Sequence, residues 1–141
     1  MIIAIRISGM VDVPEEIEET LYRIRLRRKY SCVLMEDNAI NRKLLKSVRN
    51  YVAYGEVRIG TLIKLIELRG QRLAEKKEMK IDAKEIASQL EKRKLEELGL
   101  KPFFRLHPPR KGIESKRHFG VGKGVLGNNK EKINELLERM L

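Results

Sequence analysis

The chain has 141 residues, with 31 Lys and Arg against 20 Asp and Glu, and its formal charge of +11 makes an anionic partner the first expectation, nucleic acid ahead of a membrane or an acidic protein. A hydrophobic share of 42% and a charged share of 36% bound it to one compact domain, or one domain with an appendage. One cysteine excludes an intramolecular disulfide and a Cys-based zinc module, and no apolar run approaches the ~20 residues of a membrane span, so a cytosolic protein with no membrane partner is expected.

Ile2, Ile3, Ala4, Ile5 and Ile7, closed by Gly9, form a β-branched apolar run that predicts a strand buried on both faces and central in its sheet. Asp12-Val13-Pro14 opens a helix with Pro14 at its first position and Ile17, Leu21 and Ile24 as its inward stripe. Its first turn holds Glu15, Glu16, Glu18 and Glu19, and its last holds Arg23, Arg25, Arg27, Arg28 and Lys29, charges that oppose the macrodipole at both ends. Five cations in seven residues exceed what a helix end needs, so Arg25, Arg27, Arg28 and Lys29 are candidate phosphate contacts. Ser31–Glu36 reads as a second strand, with Cys32 a small buried hydrophobe rather than a nucleophile.

Asp37 or Asn38 caps a second helix whose inward positions are Ile40, Leu44, Leu45 and Val48. Its outer face carries Arg42, Lys43, Lys46 and Arg49, which serve either as a solvated face or, being of one sign, as RNA contacts. The stretch NYVAYGEVR, residues 50–58, mixes aromatics with Gly55 and predicts a packed connection, in which Tyr51 and Tyr54 are structural or stack on bases. Gly60 or Thr61 begins a short apolar helix stopped by Gly70 at its C′ position. After a polar stretch, Asp82 and Glu85 form a capping box and Ile81 with Ile86 a hydrophobic staple, starting a helix that ends at Gly99. Its near-neutral charge marks residues 71–100 as a helical insertion beside the core.

Phe103–His107 predicts a third strand, after which regular patterning stops. From Arg105 to Lys123 the cations Arg105, Arg110, Lys111, Lys116, Arg117 and Lys123 face one acid, Glu114, and Pro108, Pro109 and the glycines break the chain repeatedly. Such a segment, residues 108–128, cannot build a core of its own and predicts an extended basic arm that follows a polyanion. Asn128 with Glu131 caps a last amphipathic helix of balanced charge, 129–141, suited to docking on protein and to holding the arm's far end.

Gly120-Val121-Gly122-Lys123-Gly124 lacks the spacing and the strand–helix setting of a phosphate-binding nucleotide loop. His107 and His118, the only histidines, have no second ligand at metal spacing. No nucleophile–base set or carboxylate pair emerges, so neither an enzyme nor a cofactor, metal or small-molecule substrate is expected. The elements predict a small α+β domain in which a three-stranded sheet is covered by helices on one face. The core is 1–70 with the strand at 102–107.

In IRISGMVDV, TLYRIRLRRKYSCVLM, YVAYGEV and above all FRLHPPRKGI followed by Lys116-Arg117 and a Gly-rich Leu126-Gly127, the chain resembles the archaeal and eukaryotic branch of the large-subunit ribosomal protein thirty family, protein seven of the eukaryotic large subunit. The resemblance spans nearly the whole chain. It implies a structural ribosomal protein without enzymatic activity, on a sheet in which the first strand lies between the other two. Its implied partners are large-subunit ribosomal RNA, near the 5S RNA, and neighbouring ribosomal proteins. By position the family's functional residues fall on Arg25, Arg27, Arg28 and Lys29, on Arg105, His107, Arg110 and Lys111, and on Lys116, Arg117, Gly124, Leu126 and Gly127 in the arm. His118 stands where the family has proline, and the turn GKGVLG departs from the family's Gly-Gly pair, so the arm beyond Arg117 transfers less well than its start. A rival reading without the resemblance is a protein-interaction adaptor whose basic charge serves solubility.

Overall fold

A computed structural model describes residues 1–8, 11–73, 82–90 and 92–141. The expected turn at Gly9, the staple at Ile81, the charge at Glu91 and most of the polar stretch 71–80 lie outside the described residues. Strand β1, Ile2–Arg6, is buried at every position, as its β-branched run requires. It pairs antiparallel on one side with β2, Ser31–Met35, and on the other with β3, Val52–Glu56.

The sheet has six strands, not three. Strand β4 is Phe104–Arg105, β5 is Glu114–His118 and β6 is Gly124–Asn128, and the order is β4-β2-β1-β3-β6-β5. The expected third strand is cut to two residues and lies against β2 at the sheet edge, so the second neighbour of β1 is β3, in the stretch expected to be a connection. The arm also differs from expectation, because it holds two strands. Val125 and Leu126 of β6 are buried, and β6 runs parallel to β3, so the arm's far end is a core strand. Strand β5 runs parallel to β6 with a register shift. Five residues are too few for a regular parallel crossover, which accounts for the irregularity.

Helices cover both faces. Helices α1, Glu15–Arg23, and α2, Ala39–Ser47, supply Leu21 and Leu45, which pack with Val48 on Ile2, Ala4, Val33, Val52 and Tyr54. The other face, with Ile3, Ile5, Cys32 and Ala53, is covered by α3, Ile59–Arg69, α4, Ala83–Gln89, and α5, Ile133–Met140. Because alternate residues of β1 feed two cores, the expectation of one covered face fails. Burial of β1 on both faces is what its uniformly apolar run predicts, and a sheet covered on one face could not have supplied it.

Local signals mark where helices begin. The side chains of Asn38 and Asp82 accept from the backbone N–H of Asn41 and Glu85. Pro14 is the N-cap of α1 rather than its first residue, and Ile40, expected to point inward, is exposed. Gly70 ends α3 in an extended conformation, not the left-handed one of a C′ glycine. A Cβ there would strike the carbonyl of Ile66, so close approach requires the glycine. Helix α4 stops at Gln89, well before Gly99, and turns follow in which Leu95 and Leu100 are buried.

Candidate nucleic-acid interface

Helix α1 ends at Arg23, so the cations expected in its last turn project from a loop. Arg6 builds that loop. It is 4% exposed, its Nη1 donates to the Leu26 carbonyl at 2.8 Å, and its own carbonyl accepts from the Tyr30 N–H at 2.7 Å. Leu26 is fully buried and acts as a peg, while positive φ at Arg25 (66°) and Tyr30 (64°) turns the backbone on either side. Arg25, Arg27, Arg28 and Lys29 are left exposed around a fixed centre. Arg27 stacks on the Tyr22 ring at 3.9 Å, Lys29 lies 5.1 Å from the Tyr30 ring, and Arg25 reaches Glu96 at 3.0 Å. Burial pushes the Arg6 guanidinium down from its ordinary value, partly offset by the charge of Glu18. Arg6 was not among the candidates, although an arginine inside an apolar strand was the available signal.

The strand exit joins this loop. Ser31 is the register partner of Arg105, and the Leu106 N–H donates to the Tyr30 carbonyl at 3.0 Å. The exposed Arg105, 5.6 Å over the Phe103 ring, therefore belongs to the loop's patch. Lys116 and Arg117 do not. They sit on β5 at the opposite edge, five strand spacings away, or about 24 Å along the sheet.

Between the edges the arm runs past the end of α5 and is stitched to it. The N–H groups of His107 and Arg110 donate to the carbonyls of Met140 and Arg139 at 3.1 and 3.0 Å, satisfying helix-end acceptors that have no intrahelical partner. Arg139 Nη1 donates to the Gly112 carbonyl at 3.3 Å. His107, a candidate RNA contact, has its ring nitrogens 2.7 Å from the Pro108 carbonyl and 2.5 Å from that of Leu141. Arg110 and Lys111 stay exposed on the turn that follows, where Lys111 has φ 68°. Lys123 is exposed in the β5–β6 connection, and Arg117 pairs with Glu114 at 3.1 Å.

On α2, Lys43 and Lys46 are exposed, and Arg49, expected on the same outer face, is exposed just beyond the helix, which ends at Ser47. Arg42 is engaged by two acids, Asp37 through Nε and Nη2 and Glu56 through Nη2 at 3.1 Å. The hydrogen bonds that Arg42 donates to Asp37 hold the carboxyl below the usual carboxylate range and raise Arg42 above its ordinary value. An arginine so neutralised has less to offer a phosphate than its neighbours. The site is therefore three cationic surfaces: the loop 24–30 with Arg105, the outer face of α2, and the arm from Arg110 to Lys123.

Residues 2–52, from β1 to the start of β3, match the family described as Ribosomal protein L30p/L7e. Over nearly its whole length the chain is similar to proteins named Large ribosomal subunit protein uL30. That of Archaeoglobus fulgidus is 40% identical, with 99% of each chain covered. That of Aeropyrum pernix is 38% identical, covering 97% of this chain and 96% of the relative, and that of Nanoarchaeum equitans is 36% identical with 96% of each covered.

Proposed function

The chain belongs to the ribosomal protein L30p/L7e family, and from that premise we propose how it serves the large ribosomal subunit. It is a structural constituent of that subunit in the cytoplasm, not an enzyme, and its partners are ribosomal RNA and neighbouring ribosomal proteins. The proposal concerns the contacts. The loop residues Arg25, Arg27, Arg28 and Lys29 with Arg105 grip one stretch of RNA backbone, while Arg110, Lys111, Lys116, Arg117 and Lys123 of the arm grip another. Lys43 and Lys46 add the outer face of α2, with Arg49 just beyond its end. Arg42 and His107 act mainly within the protein, as a tie between α2 and β3 and a tie between the arm and α5. The RNA is held by its phosphates and its shape, not by base sequence.

The observation that carries the reading is the loop 24–30, whose backbone is fixed by the buried Arg6 and Leu26 while its cations stay in solvent. The seat near the 5S RNA follows from the family resemblance, and crosslinking from the arm within the subunit tests it. The chain is proposed to act as one functional unit, in which the basic arm leaves the sheet after β4 and returns to the core through β6, and α4 and α5 are part of that core.

Substituting Arg110, Lys111, Lys116 and Arg117 together by alanine tests the contacts. About five neutralised phosphates predict that binding to large-subunit RNA falls roughly 10²- to 10³-fold between 50 and 200 mM salt. The variant should bind more weakly with a shallower salt slope, while its far-ultraviolet circular dichroism stays that of the parent. A salt-independent affinity in filter binding, for parent and variant alike, sinks the proposal.

A further inference from the structure

Between α2 and the β5–β6 connection, a cavity of about 610 Å³ opens over β3, bordered by two of the three cationic surfaces through Arg42 and Phe119. Its lining includes Ile2 and Tyr54, 1% and 7% exposed, the ring of Phe119, 41% exposed, and Lys130 and Lys132. We infer that this cavity receives one unstacked nucleobase of the bound RNA, with its ring against Phe119 and its phosphate at Lys130. The inference rests on the reading that the chain binds RNA, and it adds a base contact to a mode otherwise limited to phosphates.

Several observations point the same way. Phe119 is an aromatic ring left in solvent on a chain of net charge +11, yet its backbone is fixed, its N–H donating to the Leu126 carbonyl at 2.9 Å. A ring held on a firm backbone loses little freedom when a flat partner stacks on it. The volume lies within the range of small-ligand sites, so one nucleotide enters and a folded helix does not. The acids in the lining do not repel a phosphate freely, because Glu56 is paired with Arg42 at 3.1 Å and Glu131 with Arg58 at 3.8 Å. Lys132 shares its charge with Glu135 at 3.4 Å, whereas no carboxylate among the described residues pairs with Lys130. Lys130 is thus the cation available at the rim, carried on a backbone with φ 51°. Tyr54, expected as a possible stacking partner, is buried in the core beside α2. The aromatic that meets solvent comes from the arm. A solvent-facing aromatic with cationic borders is a common way to hold single-stranded bases.

The test is a cycle in which ring and base are removed separately. The full-length protein and its Phe119→Ala variant are titrated by fluorescence anisotropy with a pentamer of adenylate and with the same pentamer carrying an abasic centre, at one salt concentration. If base and ring stack, losing either weakens binding roughly 5- to 150-fold, and losing both costs little more than losing one. Phe119→Tyr should restore the parent affinity. Additive effects, or a Phe119→Ala variant that binds both pentamers as the parent does, overturn the inference. Filter binding of the parent to large-subunit RNA runs alongside. If that binding fails, the RNA reading itself is wrong, whereas if it holds without coupling between ring and base, the cavity alone is misassigned. Retained RNA affinity with loss of a neighbouring protein from reconstituted subunits would assign the cavity to protein instead.

Discussion

Arg6 illustrates how a residue can matter to an interface it never meets. It is buried, it satisfies the Leu26 carbonyl, and burial lowers its readiness to carry charge, so its place in β1 is held against a desolvation cost. Arg6→Met keeps most of the side-chain volume and removes the donor, leaving a carbonyl unmatched in the core. The expected loss is about 1–3 kcal/mol in urea unfolding, since relief of the buried charge offsets part of the lost hydrogen bond. The same variant should bind large-subunit RNA several-fold more weakly, because the loop around Leu26 is no longer held. Unchanged affinity beside lowered stability would make Arg6 a core residue only. Asn134 plays a comparable part on the other face. It is buried, and it accepts from the Arg58 N–H at 2.8 Å while donating to the carbonyls of Glu56 and Glu131 at 3.0 and 2.8 Å, clasping the turn after β3 to the start of α5.

At the scale of elements, the joint between β3 and α5 is the tightest packing the glycines reveal. A Cβ on Gly55 would collide with the Lys130 carbonyl and come 2.9 Å from side-chain atoms of Ile133. Gly55→Ala should therefore displace the start of α5 and cost about 2–4 kcal/mol, read as a fall in the urea midpoint at constant slope. A midpoint equal to the parent's would mean that α5 does not press on β3 there. The same glycine explains why β3 was hard to read. Glycine inside a short aromatic run looks like a turn, and its reason for being in a strand, a helix crossing it from far along the chain, is not local. Strand β1, strand β2 and the caps at Asn38 and Asp82 were legible because their causes lie within a few residues. Strands β5 and β6 were not, since Gly124, Gly127 and the cations of β5 have low strand propensity and are ordered by partners. In the site, the cations were legible by charge alone. What charge could not reveal was that Arg42 and His107 have partners within the protein.

For the molecule as a whole, salt should act in two directions. The free protein carries +11 and repels itself, so screening should raise its thermal midpoint as salt increases from 50 to 300 mM, while RNA affinity falls over the same range. Scanning calorimetry of the free protein beside the binding titration checks this, and a midpoint that drops with salt would mean that its ion pairs outweigh its net repulsion. The stitching of the arm to α5 also sets an order in time. The N–H groups of His107 and Arg110 find their acceptors on Met140 and Arg139, residues that follow them in the chain. During synthesis the arm therefore leaves the exit tunnel before its clamp exists, and it takes its bound shape only once α5 has emerged and docked. A cationic segment whose contacts wait for α5 is ordered late, so its assembly is timed by chain order.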